Sequence, residues 1–198
     1  MLPSRPRGGP NGPSDRRLRA YGTLAGLAFL AQGGHHIFRG SAWDVLWLCN
    51  LAPLLLAVGC LRAQRSFVAV ALLWETFGTP LWLLNWATGA SVIPTSPLVH
   101  VLCPFLAFLA ALELGWPRGA WYKAVLGMAA LVLLTRALAP PSTNVNVAFA
   151  VREGWEARFP RYELFGALVF GGGSAIFFLA DRLYARSIAA VTRRRTGR

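Results

Sequence analysis

Charged residues are scarce in this chain, and their scarcity argues against an ordinary soluble domain. Of its 198 residues only 14% are charged, whereas a soluble domain usually carries about a quarter. The hydrophobic fraction is 55% and the mean hydropathy is +0.46. A chain this apolar and this rich in aromatic residues is not intrinsically disordered over most of its length. The composition therefore predicts an all-α, polytopic integral membrane protein.

Cysteine is also scarce, and no cofactor-binding motif is visible. The three cysteines, Cys49, Cys60 and Cys103, lie in apolar contexts and are too few for a disulfide scaffold. Histidine and cysteine can bind zinc or copper, but no tight spacing such as His-x3-His or Cys-x2-Cys supports a metal site. The chain also lacks the internal repeat that is typical of inverted-repeat transporters. We therefore expect neither a cofactor nor a resident metal.

The apolar segments predict a bundle of six transmembrane helices. A bilayer core requires about 20 apolar residues per helix, and six stretches reach or approach that length: 19–38, 43–61, 66–86, 98–114, 121–138 and 163–183. Because the first stretch is long and has no Ala-x-Ala cleavage pattern, we interpret it as a retained helix. The predicted organisation is a disordered basic arm at 1–18, a transmembrane domain at 19–186 and a disordered basic tail at 187–198.

The net charge of +12 would suggest nucleic-acid binding in a soluble protein, but here the basic residues indicate membrane orientation. With the N-terminus inside, fifteen of the 20 Lys and Arg residues fall on the inner side. This distribution predicts a multi-pass cell-membrane protein with both termini cytoplasmic, and its Arg-rich character suggests a bacterial plasma membrane. Membrane phospholipids are the expected partners and nucleic acid is not. The oligomeric state stays open, a homo-oligomer included.

Polar residues concentrate in the outer half of the predicted bundle, where they are costly and indicate a functional site. The candidates are His35, His36, Cys49, Asn50, Asn85, His100, Asn144 and Asn146. The two adjacent histidines point about 100° apart on a helix, so only one of them can easily face the bundle. The connection 139–162 is expected outside and is long enough to cover the site as a lid.

These residue types can support acyl transfer. A cysteine thiolate is a nucleophile that needs a nearby base such as histidine, and amide groups can donate to the oxyanion of the intermediate. We therefore predict Cys49 and His100 as catalytic residues, with the outer histidines and asparagines binding the substrate. Glu75 lies in the middle of the third span, where it is expected to be protonated or paired, in a proton-handling role or in a structural interhelix hydrogen bond.

Five short motifs resemble a known six-span membrane family, which includes the animal transmembrane protein 164 and many bacterial proteins. They are His35 or His36 at the end of span 1, Trp47-Leu48-Cys49-Asn50, Gly78 to Leu83 followed by Pro94 and His100, Asn144-Val145-Asn146, and Pro160-Arg161-Tyr162. The resemblance covers roughly residues 28–184. It implies transfer of a fatty acyl chain between phospholipids, with Cys49 carrying the acyl group and His100 assisting. Trp47 departs from the family's usual histidine, and lipid-ester hydrolysis in a related family is a close alternative.

Two further function classes stay open. In a small-molecule or ion transporter, Glu75 and the outer polar residues would line a path across the membrane. In a non-catalytic structural protein, the same polar residues would only hydrogen-bond neighbouring helices. Replacement of Cys49 separates these classes, since only the acyl-transfer hypothesis requires its thiol.

Overall fold

The protein folds as a bundle of α-helices. The structure, a computed structural model, describes residues 13–89 and 93–196, and those residues contain helices and no strand. In chain order the helices are α1 (Pro13–Phe38), α2 (Leu48–Leu61), α3 (Arg65–Ala87), α4 (Cys103–Leu114), α5 (Ala120–Leu138) and α6 (Tyr162–Thr196). A π-helical turn, Leu98–Leu102, leads directly into α4. The predicted all-α class is confirmed.

Contacts between helix ends show that successive helices run in alternating directions. At one end of the bundle, Arg17 near the start of α1 pairs with Glu113 near the end of α4, with 3.1 Å between Nη1 and Oε1. At the same end, the Trp116 indole after α4 donates to Asp181 of α6. At the opposite end, the chain after α5 contacts the start of α2 and the end of α3. This second end carries most of the candidate site residues.

Three helices are long and apolar enough to cross a membrane: α3, α5 and α6. The segments Leu48–Leu61 and Leu98–Leu114 are apolar but shorter. Helix α1 is long enough at 26 residues, but Gln32 and the two histidines make its last turns polar. Six membrane spans thus remain a prediction, although the order of the helices follows the six predicted stretches.

Helix boundaries differ from the predicted ones in three places. The second predicted stretch began at residue 43, but residues Ala42–Leu46 form a 3₁₀ turn and α2 begins only at Leu48. Helix α1 already begins at Pro13, and α6 continues to Thr196. The described parts of the two basic arms are therefore helical and not disordered, while residues 1–12, 197 and 198 lie outside the described part of the chain.

Small residues allow the central helices to pack closely. A side chain at Gly59 of α2 would come within 2.9 Å of the backbone nitrogen of Val68, so α2 and α3 meet at this point almost backbone to backbone. The Trp74 indole covers Gly127 of α5 and donates to the carbonyl of Ala124 at 3.1 Å. Because of these contacts α3 lies in the centre of the bundle, and its residues from Val68 to Glu75 are all buried.

Candidate functional site

Cys49 lies in the first turn of α2 and is half-buried. The helix begins here because Trp47 has a non-helical conformation and a side chain from elsewhere satisfies the first backbone donor. That side chain is Asn146, whose Oδ1 accepts from the Leu48 N–H at 2.9 Å. Because Cys49 is in the first turn, the positive end of the helix dipole lies close to the group that would carry negative charge as a thiolate.

Gly78 of α3 brings Cys49 and His100 to the same place. A Cβ atom at Gly78 would lie 3.1 Å from Cys49 Cβ and 3.9 Å from His100 Cε1. The missing side chain is what allows α2 and the π-helical turn to approach this point of α3 together. The two predicted catalytic residues are thus neighbours, although no hydrogen bond joins them among the described residues.

His100 contacts the buried carboxyl group of Glu75. Its Nδ1 atom lies 3.3 Å from Glu75 Oε2, and both side chains are almost fully buried. The Thr79 hydroxyl lies between them, 3.4 Å from Glu75 Oε2 and 3.1 Å from the His100 carbonyl oxygen. The Trp82 indole stacks on the imidazole, with 5.0 Å between ring centroids. The ring therefore lies against a carboxyl group on one edge and against an aromatic surface on one face.

The Glu75–His100 pair is not fully hydrogen-bonded. Within residues 13–89 and 93–196, Glu75 Oε1 and His100 Nδ1 have no hydrogen-bond partner that meets normal geometry. Buried polar atoms without partners are rare in folded proteins because each costs about 1–3 kcal/mol. A catalytic role is one reason why a protein retains such atoms. This cluster of Cys49, Glu75, Gly78, Thr79 and His100 is called the thiol site below.

A second polar cluster lies beside the thiol site, at the end of α1. Gln32 Nε2 and Asn50 Nδ2 lie 3.0 Å and 3.2 Å from His36 Nε2, so this ring nitrogen accepts and carries no proton. The proton on Nδ1 is then directed at the Ser41 hydroxyl, 3.1 Å away. Asn50 also donates to the Asp44 carbonyl at 2.7 Å. This arrangement describes a neutral, fully hydrogen-bonded His36.

The two adjacent histidines lie in different environments, as predicted. His36 is buried within this network, whereas His35 is half-buried and lines an open cavity. Asn50 follows Cys49 directly in the chain, so it connects the network to the thiol site. The structure thus gives His36 and Asn50 structural partners, and it leaves His35 accessible to a ligand.

The remaining predicted substrate-binding residues lie elsewhere and have structural partners. Asn85, at the end of α3, accepts a hydrogen bond from Arg152 of the long connection. Asn144 accepts from the backbone N–H groups of residues 149 and 150 and so organises its own loop. Asn146 caps α2 and also donates to the Leu46 carbonyl at 2.8 Å. The predicted lid therefore contacts the ends of α2 and α3, and its asparagines position the backbone.

Sequence inspection did not single out Gln32, and it included Gly78 and Thr79 only as members of the Gly78 to Leu83 motif, with no role of their own. Gln32 could have been found by the signal that marked Asn50, because it is a polar residue inside an apolar span. Thr79 and Gly78 carry no such signal, since both are common in membrane helices. In the same described ranges no group of three or more His, Cys, Asp or Glu side chains is arranged to hold a metal ion.

Comparison with protein-family models, with curated proteins and with solved structures found no match for this chain. The resemblance to the six-span family therefore rests on the short motifs themselves.

Proposed function

We propose that this protein is a six-span membrane enzyme that transfers the acyl group of a lipid ester, or hydrolyses it, through Cys49. The single observation that carries the proposal is the meeting of Cys49, His100 and Glu75 around Gly78. A nucleophile, a base and a carboxyl group that orients the base are the three roles of a nucleophilic triad. These residues come from three different segments of the chain, so sequence proximity does not explain the meeting.

The proposed reaction begins with transfer of the Cys49 thiol proton to His100. Because Nδ1 of His100 faces Glu75, the other ring nitrogen, Nε2, is the one available to the thiol. The sulfur then bonds to the ester carbonyl carbon, and N–H groups at the start of α2 offer donors for the oxyanion. Collapse of the intermediate breaks the carbon–oxygen ester bond, and the leaving alcohol takes the proton from His100. A second alcohol, or water, attacks the thioester to release the acyl group and restore the thiol.

The proposed orientation places both termini in the cytoplasm and the thiol site toward the outer leaflet. Two observations support it: the alternating helix directions put the starts of α1, α3 and α5 at one end, and fifteen of the 20 basic residues lie in the sequence segments predicted for that side of the membrane. The apolar surface is consistent with lipid contact, since large side chains such as Leu30, Leu126 and Leu183 are each more than half exposed.

Intact-mass measurement of the detergent-purified full chain tests the proposal. The protein is incubated with mixed phospholipids, and its mass is recorded before and after treatment with hydroxylamine, which cleaves thioesters. We expect a fatty-acyl adduct on the wild type that hydroxylamine removes, and no adduct on Cys49→Ala.

Cys60→Ala is the matched control, because Cys60 is buried near the opposite end of the same helix. It should acquire the adduct as the wild type does. An adduct that persists in Cys49→Ala would contradict the assignment of the nucleophile. Full lipid conversion by folded Cys49→Ser and His100→Ala variants would refute the mechanism altogether.

A further inference from the structure

An open cavity of about 430 Å³ lies at the end of α1, beside the second polar cluster. Its volume is within the range of roughly 300–1,000 Å³ that is usual for small-molecule sites. The lining consists of His35, His36, Arg39, Ser41, Asp44, Ile93 and Pro94. The proposed reaction steps at Cys49 use none of these side chains, so the cavity can be argued from its own residues.

The floor of the cavity is rigid and carries no net charge. His36 is neutral in its network, for the reasons given above, and Gln32 Oε1 accepts a hydrogen bond from Thr95 on the far side. Because these polar groups already have partners, they shape the cavity and leave little capacity for a new ligand. The ligand must instead be recognised by the groups that remain available.

Two formal charges of opposite sign remain on the lining. Arg39 is exposed, and its guanidinium has no side-chain partner within the described residues. Asp44 is half-buried, accepts from the Trp47 indole at 3.2 Å and lies 3.6 Å from the neutral His36 ring. A simple anion would be attracted by Arg39 but repelled by Asp44, and a simple cation would be attracted by Asp44 but repelled by Arg39. A ligand that carries both charges satisfies both residues.

We propose that this cavity binds a zwitterionic headgroup, with phosphate oxygens at Arg39 and an ammonium group at Asp44. The shared chemistry is a phosphate ester joined to an amine, as in phosphatidylethanolamine or its water-soluble headgroup. Asn50 contacts His36 of the cavity lining and is adjacent to Cys49 in the chain, so a single residue connects the cavity to the thiol site. The binding site itself does not depend on acyl transfer.

A cysteine introduced inside the cavity tests this assignment locally. His35→Cys lines the cavity without altering either formal charge, and its rate of maleimide modification is read by peptide mass spectrometry on the full chain in detergent. We expect phosphatidylethanolamine to slow this rate about tenfold, the effect expected from ionic hydrogen bonds, and phosphatidylglycerol to slow it little. Glu156→Cys, exposed in the long connection, is the control and should react equally with either lipid.

Two charge variants complete the test in the His35→Cys background. Arg39→Gln should abolish protection by phosphatidylethanolamine, whereas Arg158→Gln, an exposed arginine of the long connection, should preserve it. Asp44→Asn should remove the discrimination between the two lipids. If Asp44→Asn does not fold, the comparison of the two lipids and the Arg39→Gln variant still test the proposal. Equal protection by both lipids, or full protection after Arg39→Gln, would overturn the proposal.

Further measurements identify the source of the ligand and distinguish the cavity proposal from the acyl-transfer proposal. Protection by glycerophosphoethanolamine at the same concentration as the lipid would identify a soluble ligand of this chemistry, and protection by the lipid alone would identify a membrane ligand. The measurement is repeated with Cys49→Ala, which should show the same protection. Protection without any thioester at Cys49 would retain the cavity assignment and reject the proposed reaction.

Discussion

Replacing Gly78 with alanine tests how strictly the thiol site depends on close packing. The added Cβ would lie 3.1 Å from Cys49 Cβ, whereas carbon atoms in ordinary contact are about 3.5–4.0 Å apart. Cys49 must therefore move by about half an ångström away from Gly78, the residue that lies against both Cys49 and His100. Since a misplacement of about 1 Å can reduce a rate about 100-fold, we expect acylation of Cys49 to slow about tenfold.

The effect of Gly78→Ala on stability should be much smaller than its effect on rate. Overpacking costs about 1–3 kcal/mol, but alanine is favoured over glycine inside a helix by about 1 kcal/mol. The free energy of unfolding should therefore fall by about 0–2 kcal/mol. A Gly78→Ala variant that stays folded but acylates Cys49 more slowly would show that the position of Cys49, and not the stability of the fold, limits the reaction.

The assay combines a thermal melt with the rate of thioester formation at Cys49. Gly26→Ala is the matched control, because a Cβ there would lie 3.8 Å from Ala57 Cβ, which is an ordinary contact. It should leave the rate unchanged and the melting temperature equal or slightly raised. An unchanged rate in Gly78→Ala, or an equal loss in Gly26→Ala, would refute the reasoning.

Three further predictions concern the cap, the acid and the orientation. Asn146→Ala removes the cap of α2 and places alanine at a left-handed φ of 54°, so a thermal melt should show the free energy of unfolding falling by about 1–2 kcal/mol. Asn146→Gly also removes the cap, but glycine adopts this φ without strain, so its free energy of unfolding should fall less. Glu75→Gln can still accept from His100 and should retain more thioester formation than Glu75→Leu, and equal rates would argue against an orienting role. In a cysteine-free chain in intact cells, Glu156→Cys should react with a membrane-impermeant maleimide, whereas Arg118→Cys should react only after permeabilisation; the reverse pattern would contradict the proposed orientation.

The helical class and the order of the helices followed from the apolar runs, because their lengths depend on local sequence alone. The start of α2 did not follow in the same way. Residues 43–47 are largely apolar and read as part of a span, but Asn146, about a hundred positions away in the chain, caps the helix at Leu48. A boundary set by a distant side chain leaves no mark in the local pattern.

Depth along the helices predicted which residues could meet, but not which of them do. Cys49 and His100 share a depth and are also neighbours, because Gly78 has no side chain that would keep them apart. Asn85 has a similar predicted depth, yet it faces Arg152 of the long connection. Rotation of each helix about its axis decides such meetings, and that rotation is set by packing between helices, which one sequence does not display.

The shortness of α2 has a consequence for the membrane itself. At 14 residues the helix is about 21 Å long, whereas the hydrocarbon core of a bilayer is about 30 Å thick. In the proposed orientation this hydrophobic mismatch favours a locally thinned outer leaflet around the start of α2. Thinning would draw the ester groups of neighbouring lipids down toward Cys49, so the thickness of the host bilayer becomes a determinant of how readily the thiol meets its substrate.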